Sequence, residues 1–330
     1  MEKVIIIGAG PCGLAAGLEL KERGVDPLLI EKGPLVNSIF HYPTFLTFHS
    51  TAEKLEIGGV PFVTPNDKPT RLEGLTYYRT VAQRKGLRVH LYETVESITP
   101  VRGGFAVATR NRFGETVRYD AEHVIVATGY FDHPNRLGIP GEELPKVSHI
   151  FQEAHPYTGL KVAIVGGNNS AVDAALELAR VGADVTVVYR KPVISPKVKA
   201  WVRPVFESLI SKERIRMLFQ SRLTEIRERE IVVETAGDGE AERTANTLPN
   251  DFVLVLTGFR PDRALLGSAG VELDPETGSP QHNPETMETN VPGLYIAGVI
   301  AAGSQASEIF IENGRFHGIQ IAEHMLGKGK

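Results

Sequence analysis

Val4-Ile5-Ile6-Ile7-Gly8-Ala9-Gly10-Pro11-Cys12-Gly13-Leu14-Ala15-Ala16-Gly17-Leu18-Glu19-Leu20 is the stretch on which the rest of the chain is read. Four apolar residues run into G-x-G-x-x-G and then into a segment with leucines at 14, 18 and 20. That is the pattern of a buried parallel strand, a tight turn and a helix packed on one side. Gly24 suits a left-handed helix end, and residues 27–31 read as the next strand, closing on Glu31 with Lys32 after it. In such a turn Gly8 makes the bend, Gly10 lets the backbone approach a pyrophosphate, and Gly13 lets helix and strand close together. The helix start at Pro11 and Cys12 supplies donors for phosphate oxygens, and Glu31 is spaced to accept hydrogen bonds from ribose hydroxyls.

The same unit recurs. Shifted by 158 residues, Val4-Ile5-Ile6-Ile7-Gly8 falls on Val162-Ala163-Ile164-Val165-Gly166, Ala16-Gly17-Leu18-Glu19-Leu20 on Ala174-Ala175-Leu176-Glu177-Leu178, and Gly24 on Gly182. Two strand ends also correspond, Val124-Ile125-Val126-Ala127-Thr128-Gly129 and Val253-Leu254-Val255-Leu256-Thr257-Gly258. The reading is α/β: two Rossmann-like dinucleotide-binding domains, three-layered with parallel central sheets. One domain, residues 131–257, is inserted into another built from 1–130 and 258–330, with Pro134, Pro140 and Pro261 near the crossings. A helix is expected over 71–85, a last helix starting at Gly303-Ser304-Gln305, and a frayed tail at 327–330.

Composition narrows the function. The chain has 330 residues, with 36 Lys plus Arg against 40 Asp plus Glu, a net charge of −4. There is no basic excess to collect nucleic-acid phosphates, and no apolar run approaches the roughly 18 residues of a membrane span. The 33 glycines are about a tenth of the chain, in keeping with several close backbone approaches. Cys12 is the single cysteine, so neither an intrachain disulfide, nor a C-x-x-C pair, nor a cysteine-rich metal site is available. The opening Met1-Glu2-Lys3 leads straight into the first strand, and the expected setting is soluble and cytoplasmic.

The second turn, Gly166-Gly167-Asn168-Asn169-Ser170-Ala171, has Asn168 where the first has Gly10. Asparagine tolerates left-handed backbone but carries a Cβ, so a looser, transient nucleotide is expected there. The register puts Tyr189 opposite Glu31, followed by Arg190 and Lys191. A carboxylate would repel a 2′-phosphate that a guanidinium can chelate, so this site reads as one for NADPH. The bland alternative is a solvated Arg-Lys turn. Two such sites suggest a flavoprotein that passes a hydride from NADPH to FAD, with FAD in the tighter first site.

These residues resemble the two-dinucleotide-binding-domain flavoproteins of thioredoxin-reductase size, through the Glu31 turn, Ala127-Thr128-Gly129, the inserted second site and Gly293-Leu294-Tyr295-Ile296-Ala297-Gly298. The resemblance implies that the last run follows the flavin and that Val95 lies beside the adenine. Such proteins usually carry an aspartate after the late glycine, where this chain has Val299, and thioredoxin reductases carry the C-x-x-C that is missing here.

A narrower resemblance runs nearly the full length. His41-Tyr42-Pro43-Thr44, Ser50-Thr51, Leu55-Glu56-Ile57-Gly58-Gly59, Lys68-Pro69-Thr70-Arg71, Tyr77-Tyr78-Arg79, Ala301-Ala302-Gly303 and Ile311-Glu312-Asn313-Gly314-Arg315 resemble the YpdA-type bacillithiol disulfide reductases. That family implies FAD, NADPH, a small-molecule thiol disulfide as substrate and a homo-oligomer.

Cys12 at a helix start is expected to hold a lowered pKa, as a thiolate that attacks the disulfide, or else to be simply a small residue in a turn. Lys68, Arg71 and Arg79 are read as guides for the anionic substrate, or as a solvated helix face. His41, Tyr42, Phe45, Phe48 and His49 lie in an irregular aromatic stretch suited to walling a flavin, with His41 and His49 as proton donors or as ordinary surface histidines. Trp201 and Arg203 read either as flanking the nicotinamide side or as ordinary packing residues, with packing the leading reading. Gln305, at the start of the expected last helix, faces the flavin pyrimidine in this reading. The competing readings are a ferredoxin or flavodoxin reductase, a flavin-containing monooxygenase, and a flavin-holding redox sensor without turnover.

Overall fold

The computed structural model describes residues 1–131, 133–237, 243–303 and 308–327. The chain divides into two compact units, Met1–His133 with Phe259–Lys330, and Pro134–Gly258. The crossings lie in the short strands β7 (His133–Pro134) and β16 (Phe259–Arg260).

In the first unit β1 (Glu2–Ile7) sits mid-sheet, because Val4, Ile5 and Ile6 have no exposed surface and need cover on both faces. Burying each contributes about 1.5–3 kcal/mol. β2 (Leu28–Glu31) and β6 (Thr116–Val126) flank it in parallel, with Ile7 opposite Ile30 and Val126. β3 (Arg88–Leu91) lies outside β2, and β17 (Leu294–Ile296) pairs in parallel with the C-terminal end of β6. The other half of β6 joins an antiparallel meander with β5 (Gly104–Asn111) and β4 (Glu93–Val101).

Five helices position the site: α1 (Pro11–Glu22), α2 (Asn37–Phe40), α3 (Ala52–Leu55), α4 (Arg71–Arg84) and, near the C-terminus, α8 (Ile311–Gly314). α9 (His317–Leu326) follows and packs on α1 so closely that a Cβ on Gly318 would lie 2.6 Å from the Ala16 Cα. α7 (Arg263–Ser268) follows the second crossing.

The second unit repeats the plan with β9 (Lys161–Val165), α5 (Asn169–Arg180), β10 (Asp184–Val188), α6 (Arg203–Ser211), β11 (Ile215–Leu218), β15 (Phe252–Val255) and β8 (Val147–Ser148). Its all-parallel order β11-β10-β9-β15-β8 matches β3-β2-β1-β6-β17 position for position. β12 (Ser221–Ile226), β13 (Glu230–Ala236) and β14 (Arg243–Pro249) form a separate antiparallel sheet. Gly24 and Gly182 both adopt left-handed φ, +83° and +80°, just past α1 and α5.

One element departs from expectation. The last helices start at Ile311 and His317, not at Gly303. Gly303 closes a 3-10 turn over Val299–Ala302 at φ +55°, and Asn313 nucleates the later start by donating to the Glu308 carbonyl and accepting from the Phe310 N–H. Ser304 and Gln305 lie outside the described residues, as do residues 328–330 of the expected tail. Among the described residues no helix is long and apolar enough to cross a membrane, and no group of three or more His, Cys, Asp or Glu could hold a metal.

Candidate active site

The first glycine turn is built by close approaches. Gly8 has φ +103°, and a Cβ on it would lie 2.5 Å from the Ala127 carbonyl oxygen, while a Cβ on Gly13 would lie 2.1 Å from the Gly8 oxygen. Gly10 differs: nothing lies within 4 Å of its missing Cβ and its φ is −74°, so protein packing does not require glycine there. Its open side is where a ligand would sit. α1 begins without a side-chain cap or an acidic residue in its first turn, leaving N–H donors uncommitted to side chains. Thr128 Oγ1, just past β6, is buried with no hydrogen-bond partner. A buried orphan hydroxyl facing no protein partner is costly unless a ligand satisfies it. These features fit a dinucleotide. Glu31 is buried and accepts from Ala9 N–H at 2.9 Å and Gly33 N–H at 3.0 Å. Lys32 is exposed beside it, and Val95 is half-buried on β4, whose preceding turn is tied back by Tyr92 N–H donating to the Gly33 oxygen.

The second turn repeats the backbone logic. Gly166 has φ +145°, and its missing Cβ would lie 2.5 Å from the Leu256 oxygen. Asn168 has φ −101°, extended and not left-handed, so tolerance of left-handed backbone is not why asparagine stands there. Its Oδ1 accepts from Ser195 Oγ at 2.7 Å, and Asn169 binds both the Lys197 oxygen and the Lys199 N–H at 3.0 Å. The turn is thus buttressed by residues 195–199. Tyr189 is buried over Gly167, whose Cβ would lie 2.4 Å from the ring, while Ser170, Arg190 and Lys191 are exposed. Trp201 is 68% exposed and Arg203 pairs with Glu207 at 2.7 Å, so neither is a core packing residue.

Cys12 lies at the centre of the C-terminal elements. A Cβ on Gly298 would lie 3.0 Å from its Sγ, and one on Gly314 would lie 2.9 Å from it. Burial, and secondarily the Glu312 carboxylate, push the thiol up to about 12. The shift runs opposite to the lowering expected of a helix start, although the side chain is only partly buried, because the surrounding protein desolvates the anion. Ser50 hydrogen-bonds Glu312, and Arg315 donates to the carbonyls of Glu53 and Glu56, so the Ser50-Thr51 and Ile311-Glu312-Asn313-Gly314-Arg315 motifs meet across α3 and α8. Val299 is half-buried and opens the 3-10 turn.

The aromatic stretch is partly as read. Tyr42 packs edge-on to Phe131 with ring centroids 5.3 Å apart, and burial holds its hydroxyl protonated. Phe131 stacks on Phe259 at 4.3 Å, extending an aromatic group that the sequence reading missed. The available signal was the repeat: Tyr130-Phe131 and Phe259 each follow a Thr-Gly strand end. Phe48 is core packing, seated over Gly74. Arg71 is spent on structure, donating to the Ile39 oxygen at 3.1 Å and the Phe40 oxygen at 2.5 Å. His41 and Lys68 are half-buried, and His49, Phe45 and Arg79 are exposed.

Two like-folded glycine-turn units in one chain define an oxidoreductase built around nucleotides. The chain belongs to the pyridine nucleotide-disulphide oxidoreductase family, whose model matches residues 5–298, and membership implies a flavin and a nicotinamide nucleotide. It is 52% identical over 321 residues to the bacilliredoxin reductase Bdr of Bacillus subtilis, covering 97% of this chain and 96% of that one. The bacillithiol disulfide reductase Bdr (YpdA) from Bacillus cereus matches with a TM-score of 0.94 and 49% identity, over 99% of each chain. Thioredoxin reductase from T. acidophilum shares the fold, with a TM-score of 0.74 at 21% identity over 98% of this chain and 97% of that one.

Proposed function

We propose that this chain is an FAD-containing, NADPH-dependent reductase of a low-molecular-weight thiol disulfide, with bacillithiol disulfide as its substrate. The observation that supports the reading is the end-to-end likeness to a bacillithiol disulfide reductase, which covers 99% of each chain. In this reading Gly8, Gly10, Pro11, Cys12 and Gly13 hold the FAD pyrophosphate, Glu31 and Lys32 the ribose, and Val95 the adenine side. Thr128, Gly129, Gly298 and Val299 line the flavin. Gly166, Gly167, Asn168, Asn169 and Ser170 take the NADPH pyrophosphate, with Tyr189, Arg190 and Lys191 at the 2′-phosphate.

A bound flavin supplies two-electron transfer from NADPH to the disulfide, which with two protons leaves as two thiols. The chain holds no second cysteine to close a dithiol relay. A thiol held up at about 12 is protonated at neutral pH, so Cys12 serves as a packed thiol of the flavin site rather than as the attacking group. Lys68 and Arg79 give the substrate side its positive charge, while Arg71 holds the α2 end in place.

The test is NADPH consumption with bacillithiol disulfide, an oxidised redoxin, ferredoxin and oxygen in parallel, for the wild type and Cys12→Ala. Steady turnover with bacillithiol disulfide supports the reading. Turnover with ferredoxin or the redoxin alone overturns the substrate, and a colourless protein that FAD cannot reconstitute overturns the whole.

A further inference from the structure

Gly298 is the residue on which the late strand turns toward the 3-10 segment, and its backbone is left-handed, with φ +81°. Glycine in that conformation is cheap to reorient, so a turn that must hold a ligand needs an anchor from outside itself. Two of its restraints are steric, the Cys12 side chain on one side and the Gly314 backbone on the other. The third is directional. The Gly298 N–H donates to the Nδ1 of His317, at 3.1 Å, from the first position of α9.

His317 is itself fixed. The next residue, Gly318, is pressed on Ala16 of α1, which continues the first glycine turn, so the imidazole is held relative to the same helix that starts the nucleotide site. Burial, with the nearby His282 adding to it, lowers its pKa to about 4. The ring is therefore neutral at ordinary pH, with an Nδ1 lone pair for Gly298 and the proton on Nε2.

We propose that His317 is a positioning residue for the flavin: by accepting from the Gly298 N–H it fixes the orientation of the Ala297–Gly298 peptide and hence the turn that meets the cofactor. The inference rests on the reading that the first unit holds FAD. It assigns to a side chain on a different helix part of the ordering that a carboxylate at position 299 supplies in the flavoproteins this chain resembles, a position occupied here by Val299.

The experiment compares wild type, His317→Leu and His317→Asn. Leucine fills similar space without an acceptor; asparagine keeps an oxygen near the place of Nδ1. The readouts are the FAD dissociation constant of the stripped protein, the flavin absorption band shape, and the thermal midpoint of the stripped protein. One lost hydrogen bond predicts an FAD affinity roughly three- to tenfold weaker in His317→Leu, restored in His317→Asn. Equal affinity and band shape in wild type and His317→Leu would overturn the proposal while leaving the reductase reading intact. A wild type that takes up no FAD would overturn both. A measurement needing no variant is nitrogen NMR of labelled histidine in the wild type, where an Nδ1–H tautomer for His317 at pH 7 would equally overturn it.

Discussion

Cys12, Gly298 and Gly314 form a unit in which each residue is small because the others are close. Adding a methyl at Gly314 forces a contact of 2.9 Å with the Cys12 Sγ. Gly314→Ala is expected to cost about 1–3 kcal/mol in urea unfolding, and Cys12→Ala in the same chain to recover part of it, since the clashing atom is gone. Strict additivity of the two substitutions would show that the thiol is not what Gly314 packs against. The raised thiol also predicts slow alkylation of Cys12 by iodoacetamide at pH 8, relative to free cysteine, in the folded stripped protein. His317 gives a pH dependence whose sign follows from its depressed pKa. Between its ordinary 6.5 and the folded value of about 4 the unfolded chain binds a proton that the folded chain refuses. Stability is therefore greatest above pH 6.5 and falls as pH drops toward 4, and His317→Asn removes that part of the slope in urea midpoints taken at pH 7.5, 6 and 5.

The segment between β2 and β3 is where elements depend on long-range side-chain contacts, and there the sequence was least legible. Its one long helix, α4, was expected from the sequence, and the structure caps it with Thr70 and Glu73, each side chain bonding the other's backbone N–H. Thr70→Ala is expected to cost about 1 kcal/mol, read from the thermal midpoint. Glu73 also accepts from Thr64 and Asn66, and these bonds lower its pKa to about 2, so the cap holds above the ordinary carboxylate range and loosens as pH falls through about 2. By contrast, neither the joining of Ser50 to Glu312 nor that of Arg315 to the Glu53 and Glu56 carbonyls could be read locally. Those partners lie some 260 positions apart, and no periodicity connects a loop to a helix that distant in sequence. The misplaced last helix has the same origin: glycine at 303 signals a turn, but Asn313 decides where the helix begins. Arg71 shows a contact of the same long-range kind. Its charge suggested a ligand, whereas its guanidinium holds the end of α2 by donating to the Ile39 and Phe40 carbonyls, the former shared with the Tyr42 N–H.

The strand-turn-helix-strand core of the duplication was legible because a buried parallel strand and a tight turn restrict residue type, and the structure extends the likeness to a coinciding five-strand order in the two units. What distinguishes the copies is what side chains do around an equal backbone. Glu31 turns inward to accept from the Ala9 and Gly33 N–H groups, whereas Tyr189 lies against Gly167 and leaves Arg190 and Lys191 in solvent. Exposed cations at the end of β10 can reach a phosphate on the ribose without paying to be desolvated first, and they have no role in packing that their removal would disturb. Arg190→Ala with Lys191→Ala should therefore leave the thermal midpoint within a degree or two of wild type. It should raise the KM for NADPH about tenfold or more while leaving the KM for NADH nearly unchanged, because only the phosphorylated carrier loses charge-assisted bonds. Steady-state kinetics with both carriers and one acceptor separate the alternatives. A parallel rise for both would mean that these residues order the turn and do not read the phosphate, and the selectivity would then have to come from the 195–199 segment that braces Asn168 and Asn169.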